Sequence, residues 1–188
     1  MSELTVPVTK NDHFQGPADA PVTMVEYGDY ECPYCGQAYY IIKQLQADLG
    51  DMLRFVFRNF PLTQIHPDAL PAAYAAEAAG LQGKFWEMHD VIYEHQEELE
   101  AHNLASFAYL LELDVDRFVK DMNSEAVNKK VYDDFWSGVR SGVNGTPTFF
   151  INGKRHEGSY AYQSLRGAIE EAAGQAAKGN KKAEGAGI

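Results

Sequence analysis

Between Val22 and Phe57 the apolar pattern changes period twice, and this change restricts the fold more than any other feature of the chain. Val22-Thr23-Met24-Val25-Glu26-Tyr27 is rich in β-branched and aromatic residues and predicts a strand. Ala38, Ile41, Ile42, Leu45 and Leu49 then follow helical spacing up to Gly50, a glycine placed to cap the helix. Met52 to Phe57 returns to a strand-like run that closes at Asn59-Phe60-Pro61. Strand, helix and strand in this order form a βαβ unit, which implies a parallel pair with a right-handed crossover and an α/β fold class.

The next segment has a different texture. From Pro67 to about Gly142 the pattern is helical throughout, with an Ala-rich stretch at Ala72 to Ala79 and a shared face at Phe85, Met88, Ile92 and Tyr93. Four or five short helices packed as their own layer are predicted there. Thr148-Phe149-Phe150-Ile151 then reads as a strand, Asn152-Gly153 as a hairpin turn, and Tyr162 to Ala173 as a closing amphipathic helix. The first twenty residues read as an irregular lead-in. Gly174 to Ile188 has no apolar periodicity and is expected to be a disordered tail. The expected organisation is one domain over residues 1–173 with an all-α insertion at about 67–142, followed by the tail at 174–188.

Composition narrows the function classes. Of 188 residues, 45% are hydrophobic and 23% charged, which is a globular balance. Two cysteines exclude both a disulfide framework and a four-cysteine zinc module. Sixteen basic against 27 acidic residues give a net charge of −11, unsuited to gripping nucleic-acid phosphates or an anionic membrane surface. No segment approaches the ~18 consecutive apolar residues of a membrane span. The start Met1-Ser2-Glu3-Leu4 has no basic or apolar leader pattern. A cytoplasmic address is therefore the expectation, with a periplasmic or extracellular one if a leader has been removed.

Both cysteines stand in Cys32-Pro33-Tyr34-Cys35, directly after the first strand and at the opening of the first helix. Unpaired backbone N–H groups and the positive end of the helix dipole stabilise an anion there. A thiolate at Cys32 meets those conditions, so its pKa is expected below the free value of about 8.5. Pro33 suits the first helical turn, where its missing N–H is not needed. Cys35 lies one turn deeper, within reach of a mixed disulfide at Cys32. Half of a zinc site is the first alternative, but no second CxxC or spaced histidine pair completes it. Two inert core cysteines are the second, and Pro33 at a strand-to-helix turn speaks against them.

These residues, with four further stretches, resemble the DsbA-type branch of the thioredoxin superfamily over almost all of residues 13–172. The stretches are Gly16-Pro17-Ala18-Asp19-Ala20-Pro21-Val22, Phe57-Arg58-Asn59-Phe60-Pro61-Leu62, Gln82-Gly83-Lys84-Phe85-Trp86-Glu87-Met88-His89, and Gly142-Val143-Asn144-Gly145-Thr146-Pro147-Thr148-Phe149-Phe150-Ile151-Asn152-Gly153. The resemblance implies a thioredoxin fold, a central mixed sheet flanked by helices, with the helical block inserted into it. It implies thiol–disulfide exchange on protein or peptide substrates, with a separate redox partner and with neither metal nor organic cofactor. It further implies that Thr146-Pro147 is a cis bond facing the cysteines and offers backbone groups to an extended substrate. The plainer alternative is that Pro147 only starts an edge strand.

Glu26 stands six residues before Cys32, where thioredoxin-like proteins often carry a buried acid. Such a carboxyl would have a raised pKa and could take the Cys35 proton; strand alternation alone leaves an exposed glutamate equally open. Tyr34 sits where strong family oxidants carry His, and Asp29 and Glu31 add negative charge beside Cys32. Both features predict a less oxidising pair, with the helix terminus outweighing the carboxylates. Tyr27, Tyr30, Tyr34, Tyr39 and Tyr40 line a peptide groove on one reading and pack with hydroxyls at the rim on another. The acidic clusters 94–98 and Asp133-Asp134 read as solvated helix faces. A chaperone-like module for unfolded chains, with redox activity secondary, is the rival function. A monomer or weak dimer is expected.

Overall fold

The computed structural model of the chain describes residues 2–185. Strand β1 (His13–Gln15) precedes β2 (Val22–Gly28), α1 (Pro33–Leu49) and β3 (Leu53–Asn59), which complete the βαβ unit. Five helices follow: α2 (Ala69–Gly80), α3 (Phe85–Glu94), α4 (Ala101–Leu110), α5 (Val115–Met122) and α6 (Glu125–Arg140). The chain then returns to the sheet through β4 (Thr148–Ile151) and β5 (Lys154–Arg155), and ends in α7 (Tyr162–Gly185). The sheet order is β1-β3-β2-β4-β5, with β2 and β3 parallel and the other pairs antiparallel. This is a thioredoxin fold with an all-α insertion between β3 and β4.

The side-chain period of two divides the sheet into two dry faces. Met24, Phe55, Phe57, Phe149 and Ile151 pack with α1, the inserted helices and α7. Val25, Tyr27, Val56 and Phe150 pack with Leu4, Val8 and Phe135 on the other side. Glu26 alternates with Val25 and so lies on the α1 face, beside Tyr39 and Ile42. β2 is therefore the central strand, covered on both sides, and its C-terminal end carries the cysteine turn.

The lead-in is more ordered than its composition suggests. β1 pairs with β3 at the sheet edge, a strand of three residues with too few apolar positions to show alternation. Arg58 straps the preceding segment down. Its buried guanidinium donates to both Asp12 oxygens at 2.7 and 3.1 Å and to the carbonyls of Val6 and Pro7. The expected tail is also corrected: α7 continues through residues 174–185 instead of ending at Ala173. Ala172, Ala173, Ala176 and Ala177 have the strongest intrinsic helix propensity, which outweighs the roughly 1 kcal/mol cost of each interspersed glycine. Residues 186–188 of that expected tail lie outside the described residues.

One acidic cluster is likewise not a solvated face. Asp134 is buried, accepts from the Asn59 backbone and side-chain amides at 3.1 and 3.0 Å, and pairs with Lys130. Asn59 also donates to Glu77 at 2.7 Å, and His13 bonds the other Glu77 oxygen. The inserted helices α2 and α6 are thus tied to the end of β3 by a buried polar cluster, whereas neighbouring Asp133 stays exposed.

Candidate active site

Cys32 is the N-cap of α1 and Pro33 occupies its first turn. The cap's side chain is a sulfur that satisfies no helix N–H, so those donors remain available to a negative charge on the sulfur itself. Cys32 and Cys35 are both free thiols and both nearly inaccessible. The Cys32 Sγ approaches the carbonyl oxygen of Thr146 to 3.5 Å, and Cys35 Sγ receives the Asp29 backbone N–H at 3.5 Å. The Thr146–Pro147 peptide is cis and immediately precedes β4, which pairs antiparallel with β2 through Tyr27 and Thr148. Central-strand pairing therefore sets the proline loop against the cysteine turn.

The two sulfurs are electrostatically unequal. The Cys35 hydrogen bond is the main influence on Cys32 and lowers its pKa to about 5, against the penalty of burial. The otherwise unpartnered Thr146 hydroxyl and the backbone N–H groups of Cys35 and Tyr34 act in the same direction. Burial pushes the Cys35 thiol up instead, and the charges of Glu26 and Cys32 add to that rise. Glu26 is buried with its Oε1 unpartnered. Burial first, and the Cys32 charge second, raise its carboxyl to about 8. The result is one thiol biased toward the anion, a second biased toward the protonated form, and a carboxyl below them able to hold or release a proton near neutrality.

Asp29 and Glu31, expected to oppose the thiolate by their charge, also hold the turn in place. Asp29 Oδ1 accepts from the backbone N–H groups of Glu31 and Cys32, while Oδ2 accepts from Leu62 N–H and bonds His66 Nδ1 at 2.8 Å. Glu31 accepts from Asp68 N–H at 2.7 Å. Both carboxylates act as brackets for the turn. His66 has a raised pKa despite burial, through its bond to Asp29 and, further down, the negative charge on Cys32. It brings a titratable cation to a site whose cysteine motif carries none.

Of the six positions singled out from sequence, five converge: Cys32, Cys35, Glu26, Thr146 and Pro147. Tyr34 stands at the rim with 59% of its surface exposed. The neighbouring tyrosines divide, with Tyr27, Tyr30 and Tyr39 buried and Tyr40 exposed.

Sequence reading missed Gln96. From the connection after α3, its Nε2 donates to the carbonyls of Tyr30 and Cys32 at 2.7 and 3.0 Å. Gly36 leaves room for it, since a Cβ there would lie 2.0 Å from Gln96 Oε1. Inside a run of glutamates no sequence signal separates such a residue from a solvated one. Gln96→Ala is expected to cost about 1–2 kcal/mol in urea unfolding, because both carbonyls lose a donor. Gly36→Ala should reproduce that loss by displacing the amide.

A profile of the thioredoxin family matches residues 8–171. The chain belongs to the thioredoxin family. It is similar to BdbD of Bacillus subtilis in its oxidised form, with 26% identity and a TM-score of 0.80 over 92% of this chain and 98% of that one. It is also similar to a thioredoxin-like oxidoreductase from Silicibacter pomeroyi, at 27% identity and a TM-score of 0.79 over 87% and 93% of the two chains. A third similar structure, α-DsbA1 of Wolbachia pipientis at 22% identity, a TM-score of 0.77 and 92% and 96% coverage, supports the fold. Among curated proteins, a sequence called Na(+)/H(+) antiporter NhaA 1 from Salinispora arenicola is 48% identical over 171 residues, 90% of this chain. This thioredoxin-family chain spans only about a quarter of the length of such relatives, 26% in that case. Among the described residues, no helix is long and apolar enough to cross a membrane.

Proposed function

We propose that the chain is a thiol–disulfide oxidoreductase acting on protein or peptide substrates through Cys32 and Cys35. The observation that carries this reading is the placement of two free thiols one helical turn apart at the N-terminus of α1, with Cys32 Sγ 3.5 Å from the carbonyl oxygen of Thr146 before the cis Pro147. In the reductive direction the Cys32 thiolate attacks a substrate disulfide, forms a mixed disulfide and expels one substrate thiolate. Cys35 then attacks the Cys32 sulfur, gives its proton to Glu26 and releases the second substrate thiolate. Oxidation of a substrate is the same sequence reversed. Thr146 and Pro147 hold the substrate chain beside the sulfur, in the manner of an added strand, and Tyr34 borders the entrance.

The net direction follows the potential of the compartment. In a reducing cytosol the pair acts as a reductase, isomerase or repair enzyme, and in an oxidising compartment as an oxidase. The antiporter activity named for the longer relatives is not carried over, because the matched quarter contains no spanning helix among its described residues.

Insulin-disulfide reduction by wild type and by Cys32→Ser tests the reading. Turnover is expected to vanish in the variant, and equal rates in the two proteins would refute it. The rival chaperone reading requires undiminished suppression of aggregation by Cys32→Ser together with equal insulin reduction.

A further inference from the structure

Three of the buried polar atoms without a hydrogen-bond partner are Glu26 Oε1, His89 Nε2 and Tyr93 Oη. All three residues line one small cavity between β2, α1 and α3, closed toward the surface by Gln15 and Gln46, whose side chains bond each other at 2.8 Å. The room for a water's centre is about 10 Å³. That suffices for a single molecule, and three polar partners are what an internal water requires. A set of unmade hydrogen bonds is costly in a core, each worth roughly 1–3 kcal/mol, and a water in that cavity offers them a shared partner.

The far side of His89 leads outward. Its Nδ1 lies 3.0 Å from Asp90 Oδ1, and Asp90 is ion-paired at the surface with Lys43 of α1. The ring itself is clamped by Tyr30, Tyr39, Phe57, Trp86 and Tyr93. The titratable groups around it are Asp90 and Tyr93 on its own helix, Lys43 and Tyr39 on α1, Glu26 and Tyr30 from β2 and the turn after it, and His13 on β1. Burial lowers the His89 pKa, so the resting ring is neutral. With its proton on Nδ1 and directed at Asp90, the unpartnered Nε2 is an acceptor on a ring that lines the cavity.

We propose that His89 is a positioning residue that connects Glu26 to solvent through one internal water, forming a proton exit separate from the mouth of the active site. This rests on the reading of Glu26 as acceptor of the Cys35 proton. When Glu26 discharges, its proton passes to the water, and a water proton passes to His89 Nε2. The Nδ1 proton moves to Asp90 and thence to bulk water. The opposite half-reaction, in which Cys35 must be reprotonated, runs the chain backward and restores the tautomer. Charge and protons balance in each direction, and the mouth can stay covered by substrate throughout.

The test follows single-turnover reaction of the reduced protein with oxidised glutathione, whose second phase is the attack of Cys35 on the glutathionylated Cys32. His89→Phe is expected to slow that phase about tenfold at pH 7, less than the roughly 10²–10⁴-fold of complete proton-transfer assistance because Glu26 itself remains, and to leave the Cys32 titration midpoint in place. The double variant with Glu26→Gln should be no slower than Glu26→Gln alone. An unchanged second phase in His89→Phe, or effects that multiply in the double variant, would overturn the relay. A Glu26→Gln variant with normal kinetics would instead defeat the underlying role of Glu26. Independently of any variant, ¹⁵N NMR of the wild type should find the His89 proton on Nδ1 and a long-lived water near His89 and Tyr93. A proton on Nε2 overturns the proposal even if His89→Phe does not fold.

Discussion

Glu26→Gln is expected to become about 3 kcal/mol more stable, relative to wild type, on going from pH 5 to pH 8, and to resolve mixed disulfides about a hundredfold more slowly. The sign follows from the direction of the shift. Burial raises the carboxyl from 4.5 to about 8 in the folded protein. Between those values the unfolded chain has released the proton and the folded chain retains it. Stability is therefore complete below the unfolded value and is lost as pH rises through the folded one. The variant has no such group and loses nothing across the window. Denaturant unfolding of both reduced proteins at several pH values measures the difference and cancels the contributions they share. A parallel pH dependence in the two proteins would mean that the carboxyl is not held neutral. The opposed kinetic effect is the useful part: a group that weakens the fold and speeds the chemistry is retained for the chemistry.

The second large effect concerns Cys32. Its absorbance as a thiolate, and its rate of alkylation, should titrate near pH 5, so that at pH 7 it carries about thirtyfold more thiolate than an ordinary cysteine. A lowered acid contributes stability that is full above the unfolded value and is lost as pH falls toward 5. The reduced form is thereby favoured over the disulfide by about 3 kcal/mol at pH 7, or roughly 60 mV of reduction potential. A potential between the roughly −270 mV of thioredoxin and −120 mV of DsbA is the expected result. A measured value above about −150 mV would exclude a cytosolic reductase. Because the Cys35 hydrogen bond is the leading cause, Cys35→Ala should raise the Cys32 midpoint. An unmoved midpoint would shift the credit to the helix terminus and the Thr146 loop.

Legibility in the sequence followed the range of the interaction. The βαβ unit, the helical block and the hairpin at Asn152-Gly153 were readable because period and turn chemistry are local properties. The site motif was readable for the same reason: Cys32, Pro33 and Cys35 sit within one turn of one helix. β1 was missed because three residues with Phe14 as the only large apolar side chain carry no period, and pairing with β3 is what makes them a strand. The end of α7 is not legible as a helix because it lacks polarity contrast, while alanine supports a helix without contrast.

By itself, the sequence determined the α/β class, the placement of both thiols at one helix terminus, and the presence of a Thr-Pro segment leading into a late strand. The tertiary structure alone decided which face of β2 receives Glu26, because alternation offers two faces and only packing under α1 chooses one. It also decided that Asp29 brackets the turn with His66, that Gln96 holds the Tyr30 and Cys32 carbonyls, and that His89 shares a cavity with Glu26. The hydrogen-bonded partners among them are 37 to 66 residues apart along the chain. No local pattern encodes such distances, since the free energy that selects them comes from burial, and burial exists only after the sheet and its helices have closed over one another.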